Sequence, residues 1–495
     1  MSTTHLAGSA ARRGGSMPLI LALGLAAMVV SMAQTQVVPI LSLLAHDLHS
    51  TSAGVSWVTT ATLLSAAVFT PLLARIGDLY GKKLTLIAVF VVMIAGSLLA
   101  ATTSSLALLI VGRALQGSAT AIFPLALSII RDQVPQQRLP GAMALVSSTL
   151  AFGSGLSLVT TGLLTQGASP DYHSVFWAST GLSVLALAAL VFLVPGRGAA
   201  AGGRIDLPGA LTLAGFLVLL LLGISQGHQW GWTSNRTLGC LAGSVVVAAL
   251  WVLVERRVTA PLVDLKMFTN RQVAFTNLIG LLVGFAMFAQ FIGISYLVQI
   301  PHALTGYGFS ASVLRASVEY LLPGSLIGLV AAPVGGILVR RISARLTLVL
   351  GALIGAAGFA WLAFAHHSSA GIIVAGLLTG SSIALGYAAM PALIAASVPL
   401  NQTGIANGIN SISRSVGSSI ASAVVTSLLA SKLIQGLPAG VPPLPQQGQF
   451  TLTFVIGMIV MLLTVPAAAI GLTRSKAPGS SAADVGVGQP VPVRR

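Results

Sequence analysis

Arg113 is the side chain best placed to do chemistry, because it is a charge inside a long apolar stretch. It lies about seven residues into the stretch at 106–129, roughly 10 Å deep at a rise of 1.5 Å per residue. At that depth extending the side chain to a membrane interface is strained, and charges so placed are usually functional. Gln116 and Gly117 follow on the same helix face. The pattern predicts a polar cavity wall at these three residues.

Two further apolar stretches carry polar side chains on one helix face. The set in the first stretch is Ser31, Gln34 and Thr35. The set in the thirteenth stretch is Asn407, Asn410 and Arg414. Residues three and four apart are neighbours on a helix, so both sets suit the lining of a polar cavity. For the second set a gating role is one reading, and extension of the arginine to the cytoplasmic interface is the alternative.

The densest charged motif lies at 74–83, between the second and third stretches. Its candidate switch residues are Arg75, Gly77, Asp78, Gly81, Lys82 and Lys83. The two glycines allow a tight turn, and Asp78 is expected near the N-terminus of the next helix, where the dipole favours a carboxylate. A capped, charged turn without a switching role is the alternative. A degraded copy in the second half of the chain favours the switch, and its residues are Gly336, Arg340 and Arg341.

Composition places these motifs in a membrane protein. Of the 495 residues 55% are hydrophobic and 7% are charged, whereas a soluble domain is about 25% charged. Because about 20 apolar residues cross a bilayer, the sequence predicts fourteen membrane helices. Their expected positions are near 17–41, 53–73, 84–103, 106–129, 140–164, 174–194, 208–226, 238–254, 273–299, 317–338, 347–365, 371–393, 406–429 and 449–471.

The basic residues predict the orientation of these helices. With a cytoplasmic N-terminus, 21 of the 25 Lys and Arg residues fall in segments on the inner side and three fall outside. Arg113 is the remaining one, within a span. An asymmetry this large favours an even number of spans with both termini in the cytoplasm.

Several other classes of protein are excluded by the same residues. The net charge of +16 comes from basic residues dispersed between apolar stretches, which argues against a nucleic-acid partner. The single cysteine excludes an intrachain disulfide or a CxxC metal site, so no metal is expected. No phosphate-binding loop is present, and no convergent nucleophile, base or metal ligands lie in the spans. The sequence therefore predicts a protein that is not an enzyme.

Taken together, these motifs resemble the major facilitator superfamily, and within it the fourteen-span drug:proton antiporters. The loop at 74–83 is similar to the family's signature between helices two and three, and 108–117 matches its R-x-x-Q-G signature. The segments at 206–232 and 255–265 resemble the two extra helices of this branch. The resemblance covers about 17–472. Ala74 replaces the family's usual Gly, Ala33-Gln34-Thr35 lacks the common Asp, and helix five lacks the usual Gly-Pro pair.

The resemblance implies an all-α membrane fold of two six-helix halves with two linking helices. The expected divisions are a cytoplasmic N-terminal tail at 1–16, a half at 17–195, linking helices at 205–255, a half at 272–472 and a disordered cytoplasmic tail at 473–495. It also implies that helix five bends and seals the cavity. The small and polar residues of that motif are Gly153, Ser157, Thr161 and Gly162. Close packing of helices at this spacing is the alternative.

The resulting functional prediction is a multi-pass exporter in the cell membrane, driven by the proton gradient, with no cofactor. Its expected partners are an amphipathic small molecule and the lipid bilayer, and a monomer is expected. An exporter of a metabolite, lipid or peptide is the alternative, and a membrane enzyme or receptor is a remoter one. Only Glu319 among the acids enters a span, with Arg315 four residues before it. Because the spans hold so few acidic residues to pair with a cation, the sequence predicts neutral or anionic substrates, unless Glu319 is itself the proton and cation site.

Overall fold

The computed structural model describes residues 16–472 with a few gaps. The residues left out within that range are 41–42, 45–46, 51, 167–170, 197–205, 259–260, 262, 264, 366, 400–401, 436–437 and 439–443. The predicted tails at 1–16 and 473–495 lie outside the described residues, apart from Ser16, which begins the first helix.

Fourteen helices in the described chain are long and apolar enough to cross a membrane, which confirms the predicted number. The first seven are α1 (Ser16–Thr35), α2 (Ser52–Tyr80), α3 (Lys82–Thr102), α4 (Leu106–Gln133), α5 (Leu139–Leu164), α6 (His173–Leu193) and α7 (Leu207–Trp230). The others are α8 (Asn235–Arg257), α9 (Arg271–Gln299), α10 (Ala316–Arg341), α11 (Ala344–Phe364), α12 (Ser369–Ser397), α13 (Thr403–Ser431) and α14 (Gln447–Gly471). The even number places residues 16 and 472 on one side, called here the terminal face.

Two of these helices are locally irregular. A 3-10 turn at Ser118–Ala121 interrupts α4, and α10 begins with a π-helical turn at Ala316–Leu321. Pro323 follows that π turn and has no N–H to bond the carbonyl of residue 319. The two irregularities lie at the middle of α4 and at the start of α10.

The bundle consists of two halves with the same internal packing. In the amino-terminal half (α1–α6), helix one packs on five, two on four and three on six. The carboxy-terminal half (α9–α14) repeats all three pairs, as α9 on α13, α10 on α12 and α11 on α14. The halves meet where α5 lies along α10 and where α2 and α4 meet α13. The linking helix α7 covers α2 and α13, and α8 packs on α7.

Close helix packing depends on glycine at several of these crossings. A β-carbon at position 380 of α12 would overlap the carbonyl oxygen of Gly324 in α10, whereas one at Gly181 of α6 would meet nothing within 4 Å. We expect Gly380→Ala to destabilise the protein by about 1–3 kcal/mol, as overpacking does. Gly181→Ala is expected to leave the melting temperature in detergent unchanged or slightly raised. Equal melting temperatures for the two variants would contradict this packing.

Candidate functional site

The charged motif at 74–83 is built differently from the expectation. Asp78 and Gly77 lie in the last turns of α2, which runs to Tyr80, and not at the N-terminus of α3. Only Gly81 forms the turn, with a φ of 121° that favours glycine. Gly77 instead packs closely against Leu125 of α4. The predicted position of Asp78 was wrong because the apolar pattern of α2 ends several residues before the helix does.

Asp78 lies against the N-terminus of α13, a helix of the other half. The two carboxylate oxygens lie 2.8 and 2.9 Å from where a β-carbon on Gly404 would stand, and the backbone N–H of Ile405 faces them. The first N–H groups of a helix have no partner within it and attract a carboxylate. Ser128 donates to Asp78 Oδ1 at 3.4 Å, and Lys82 Nζ lies 3.7 Å away. Asp78 thus joins α2 to α13 through opposite partial charges.

Arg131, at the end of α4, makes the complementary contact. Its guanidinium donates to the carbonyls of Val398 at 2.8 Å and Pro399 at 3.3 Å, and to the hydroxyl of Thr403. Carbonyls after the end of α12 carry negative partial charge, which suits a cation. In the sequence, Arg131 lies just beyond the apolar stretch predicted at 106–129. Its role here depends on a contact between residues more than 260 positions apart, for which no local signal exists.

The other charges of the two motifs lie around the same face. Lys82 pairs with Asp132 at 2.6 Å, and Lys83 donates to the carbonyl of Val191 at the end of α6 at 2.9 Å. Arg75 is half-buried beside Asp78 and contributes to its electrostatic environment.

The second motif also bridges the halves at this face. Arg340 donates to the carbonyl of Gln137 at 3.2 Å, across the α5–α10 contact. Gly336 packs on Gly141 of α5, and Arg341 is exposed. The structure therefore places both copies of the motif at the junction of the halves, on the terminal face.

Arg113 is fully buried inside the amino-terminal half. Its guanidinium donates to the carbonyl of Ala33 in α1 at 2.7 Å, to that of Val58 in α2 at 3.4 Å and to Gln116 Oε1 at 2.5 Å. Gln116 in turn donates to Ser97 of α3 at 2.7 Å. Arg113 thus joins α1 and α2 to its own helix, α4, and Gln116 extends this network to α3.

The expected cavity wall at Gln116 and Gly117 is not present in this structure. Gln116 is 3% exposed and points to α3, and a β-carbon on Gly117 would overlap the carbonyl of Thr62 in α2. Their spacing correctly placed both residues near Arg113, but that face packs against α2 and α3. Periodicity shows which residues share a face and cannot show whether the face meets a helix or a cavity.

The polar residues of α1 and the helix-five motif meet each other. Ser157 donates to the carbonyl of Met32 at 2.9 Å, and Gly153 packs on Met28. Ser31 contacts the carbonyl of Leu150 at 2.5 Å and Ser154 Oγ at 2.6 Å, and Thr35 lies near Ser154. Buried Thr161 lines a cavity of about 300 Å³ between α1, α5 and α6, and Gly162 packs on Leu314. Most of the motif therefore serves close packing of α5 on α1 and on Leu314, just before α10.

Gln34 is the exposed member of the α1 set. It donates to Thr120 Oγ1 in α4 at 3.0 Å. Helix α1 begins at the terminal face and ends at Thr35, one residue after Gln34. Gln34 therefore lies towards the opposite face.

Arg414 lies near the middle of the bundle, eleven residues after α13 begins at Thr403. At 1.5 Å per residue this is about 16 Å from the terminal face, and the side chain is 8% exposed, so the alternative of extension to the interface is excluded. The guanidinium donates to Asn410 Oδ1 at 2.6 Å and to Ser411 Oγ at 2.9 Å. Asn407, the third member of the set, is buried and donates to the carbonyl of Thr403 at 3.0 Å.

Glu319 stands at the rim of the bundle. Arg315 Nε lies 2.6 Å from Glu319 Oε2, and both side chains are partly exposed. The hydrogen bond that Arg315 donates to the Glu319 carboxylate raises the pKa of Arg315. The pairing of these two residues, predicted from their spacing, is confirmed.

Comparison with known proteins agrees with this architecture. The family model of the Major Facilitator Superfamily matches residues 23–422, and again residues 324–493. The chain belongs to the Major Facilitator Superfamily. It is 29% identical over 406 residues to the Tetracenomycin C resistance and export protein of Streptomyces glaucescens, covering 80% of this chain and 73% of that protein. It is 28% identical over 364 residues to the Multidrug resistance protein Stp of Mycobacterium tuberculosis, and the match covers 73% of this chain and 66% of that protein.

A solved structure also matches this member of the superfamily. The human organic anion transporter MFSD10 (TETRAN) aligns with a TM-score of 0.60 over 91% of this chain and 99% of the human one. At 12% identity this likeness shows the fold alone. Membership and the fourteen spans make the protein a multi-pass transporter of the cell membrane. In the described ranges no group of three His, Cys, Asp or Glu residues is placed to hold a metal ion.

Proposed function

We propose that this transporter exports amphipathic drugs or antibiotics across the cytoplasmic membrane by proton antiport. The names of its relatives support export of such compounds. The orientation that we infer from the basic residues makes the terminal face cytoplasmic. The observation that carries the mechanism is the pair of opposite charges, Asp78 and Arg131, that bind opposite helix ends of the other half at that face.

These contacts suit a two-position switch. Asp78 and Arg131 hold the halves together on the terminal face, and both of their partners lie at the ends of the segment between α12 and α13. Rocking of one half against the other would break both contacts together and open a path on that side. Because Arg113 is bonded to α1, α2 and Gln116, the amino-terminal half can move as one body. These two properties support alternating access as the mechanism.

An accumulation assay with a fluorescent dye tests this function. Intact cells that express the full chain should accumulate less of an amphipathic dye than cells with an empty vector. A protonophore should remove the difference, because the gradient supplies the energy. A difference that survives collapse of the gradient contradicts proton antiport. If no drug or dye in a broad panel is exported, the drug role is wrong and export of a metabolite, lipid or peptide becomes the better hypothesis.

A further inference from the structure

The guanidinium of Arg414 has only neutral hydrogen-bond partners. It donates to Asn410 and Ser411, and the Tyr387 side chain is a third neutral partner, while a guanidinium keeps its charge in proteins. Asn410 is itself held in place, because its amide nitrogen donates to the carbonyl of Thr276 at 3.1 Å and to Asn277 Oδ1 at 3.2 Å. The amide oxygen is therefore directed at Arg414 and holds the guanidinium in place.

No carboxylate within the described part of the chain neutralises this charge. None of the ion pairs there includes Arg414, and Tyr387 alone among those side chains contributes to its electrostatic environment. A buried charge is costly unless an opposite charge or several dipoles compensate it. Arg113, also buried, donates to two backbone carbonyls and an amide oxygen within one half. Among the contacts that the structure describes, Arg414 donates to side chains alone, and it lies between the halves.

Two aromatic rings occupy the remaining surroundings of the guanidinium. The ring of Tyr387 in α12 lies 5.0 Å from it and that of Phe123 in α4 lies 5.4 Å from it. The negative face of an aromatic ring attracts a cation and partly replaces an anion. Phe123 belongs to the amino-terminal half and Arg414 to the other. When the halves separate, Phe123 must leave and one side of the cation becomes free.

We propose that Arg414 recognises the anionic group of the transported molecule, a carboxylate on an aromatic amphipath. The proposal rests on the export function above and names its substrate class. A planar carboxylate matches the parallel N–H donors of a guanidinium, which makes the contact both strong and directional. The aromatic part of the molecule would take the place of Phe123 beside Tyr387, whose hydroxyl contacts Met287 Sδ at 3.2 Å. Met and aromatic side chains adapt to apolar ligands of different shape.

Equilibrium binding to the purified full-length protein tests the site. The probes are three radiolabelled congeners of one naphthalene scaffold, with a carboxylate, a methyl amide or a trimethylammonium head group. Wild-type protein should bind the carboxylate at least about tenfold more tightly than the other two. Arg414→Gln should weaken carboxylate binding by about tenfold or more and change the others less than about threefold. Arg236→Gln removes an exposed arginine at the start of α8 and is the matched control.

Two results would overturn the proposal. Equal weakening of all three congeners by Arg414→Gln makes the arginine a packing residue. Tightest binding of the trimethylammonium congener, lost in Glu319→Gln, places a cation site at Glu319 instead. If Arg414→Gln does not fold, the melting temperature of wild-type protein is measured with each congener. The carboxylate should then stabilise the protein more than the amide does. Dye export without a carboxylate preference refutes the anion site alone, whereas absence of any drug or dye export refutes the proposed function.

Discussion

Asp78→Asn is expected to abolish export while the protein still binds its substrate. The substitution keeps the size of the side chain and removes the negative charge that faces Gly404 and Ile405 at the start of α13. A neutral amide keeps one oxygen acceptor, but it loses the negative charge and replaces the other oxygen with an N–H donor that faces the N–H groups of α13, so the contact between the halves is weakened. Asp78 lies at the end of α2, far from the middle of the bundle, so a bound substrate is not touched.

Export from cells and binding in detergent should be measured on the same preparation. We expect export to fall to the level of the empty vector and the dissociation constant to change less than about threefold. Asp171→Asn is the matched control, because Asp171 is an exposed carboxylate in the loop before α6 that bonds only to nearby His173 among the described residues. Loss of binding in parallel with export would show that Asp78 contributes to the substrate site and does not act as a switch.

Arg113→Lys is expected to weaken the amino-terminal half and, with it, export. A lysine ammonium cannot reach the carbonyls of Ala33 and Val58 and Gln116 Oε1 together, and it is harder to bury than a guanidinium. Hydrogen bonds to a charged group contribute about 1.5–3 kcal/mol each, so a loss on the order of 3 kcal/mol in stability is expected. The measurement is the melting temperature in detergent beside the export rate.

The control for Arg113→Lys is the same exchange at an arginine that is exposed. Arg236→Lys makes the same exchange at an exposed site and should leave the melting temperature and export as in wild type. A full loss of export in Arg113→Lys at an unchanged melting temperature would mean that Arg113 acts directly in transport. The hydrogen bonds that join α1, α2 and α4 would then be incidental to its role.

Local sequence patterns correctly predicted which side chains lie beside each other on one helix. The spacing of Arg113 and Gln116 placed their side chains together, and the spacing of Arg315 and Glu319 predicted their ion pair. Residues three or four apart on a helix are neighbours whatever the rest of the fold does. The position of Asp78 was predicted wrongly, because helix ends are set by capping and tertiary contacts that hydropathy does not register.

The sequence by itself determined the class and the fourteen helices, because hydrophobic length must match the bilayer and every backbone group must be bonded within it. The two halves were expected from the repeated charged motif and from the resemblance to the family. The sequence could not determine which helix face meets a partner. Only the tertiary structure showed that Gln116 packs against α3, that Arg131 binds the end of α12 and that Phe123 and Tyr387 enclose Arg414. Such contacts join residues far apart in the chain. In a membrane nearly every face of a helix is apolar, so hydropathy does not distinguish lipid, a neighbouring helix and a cavity.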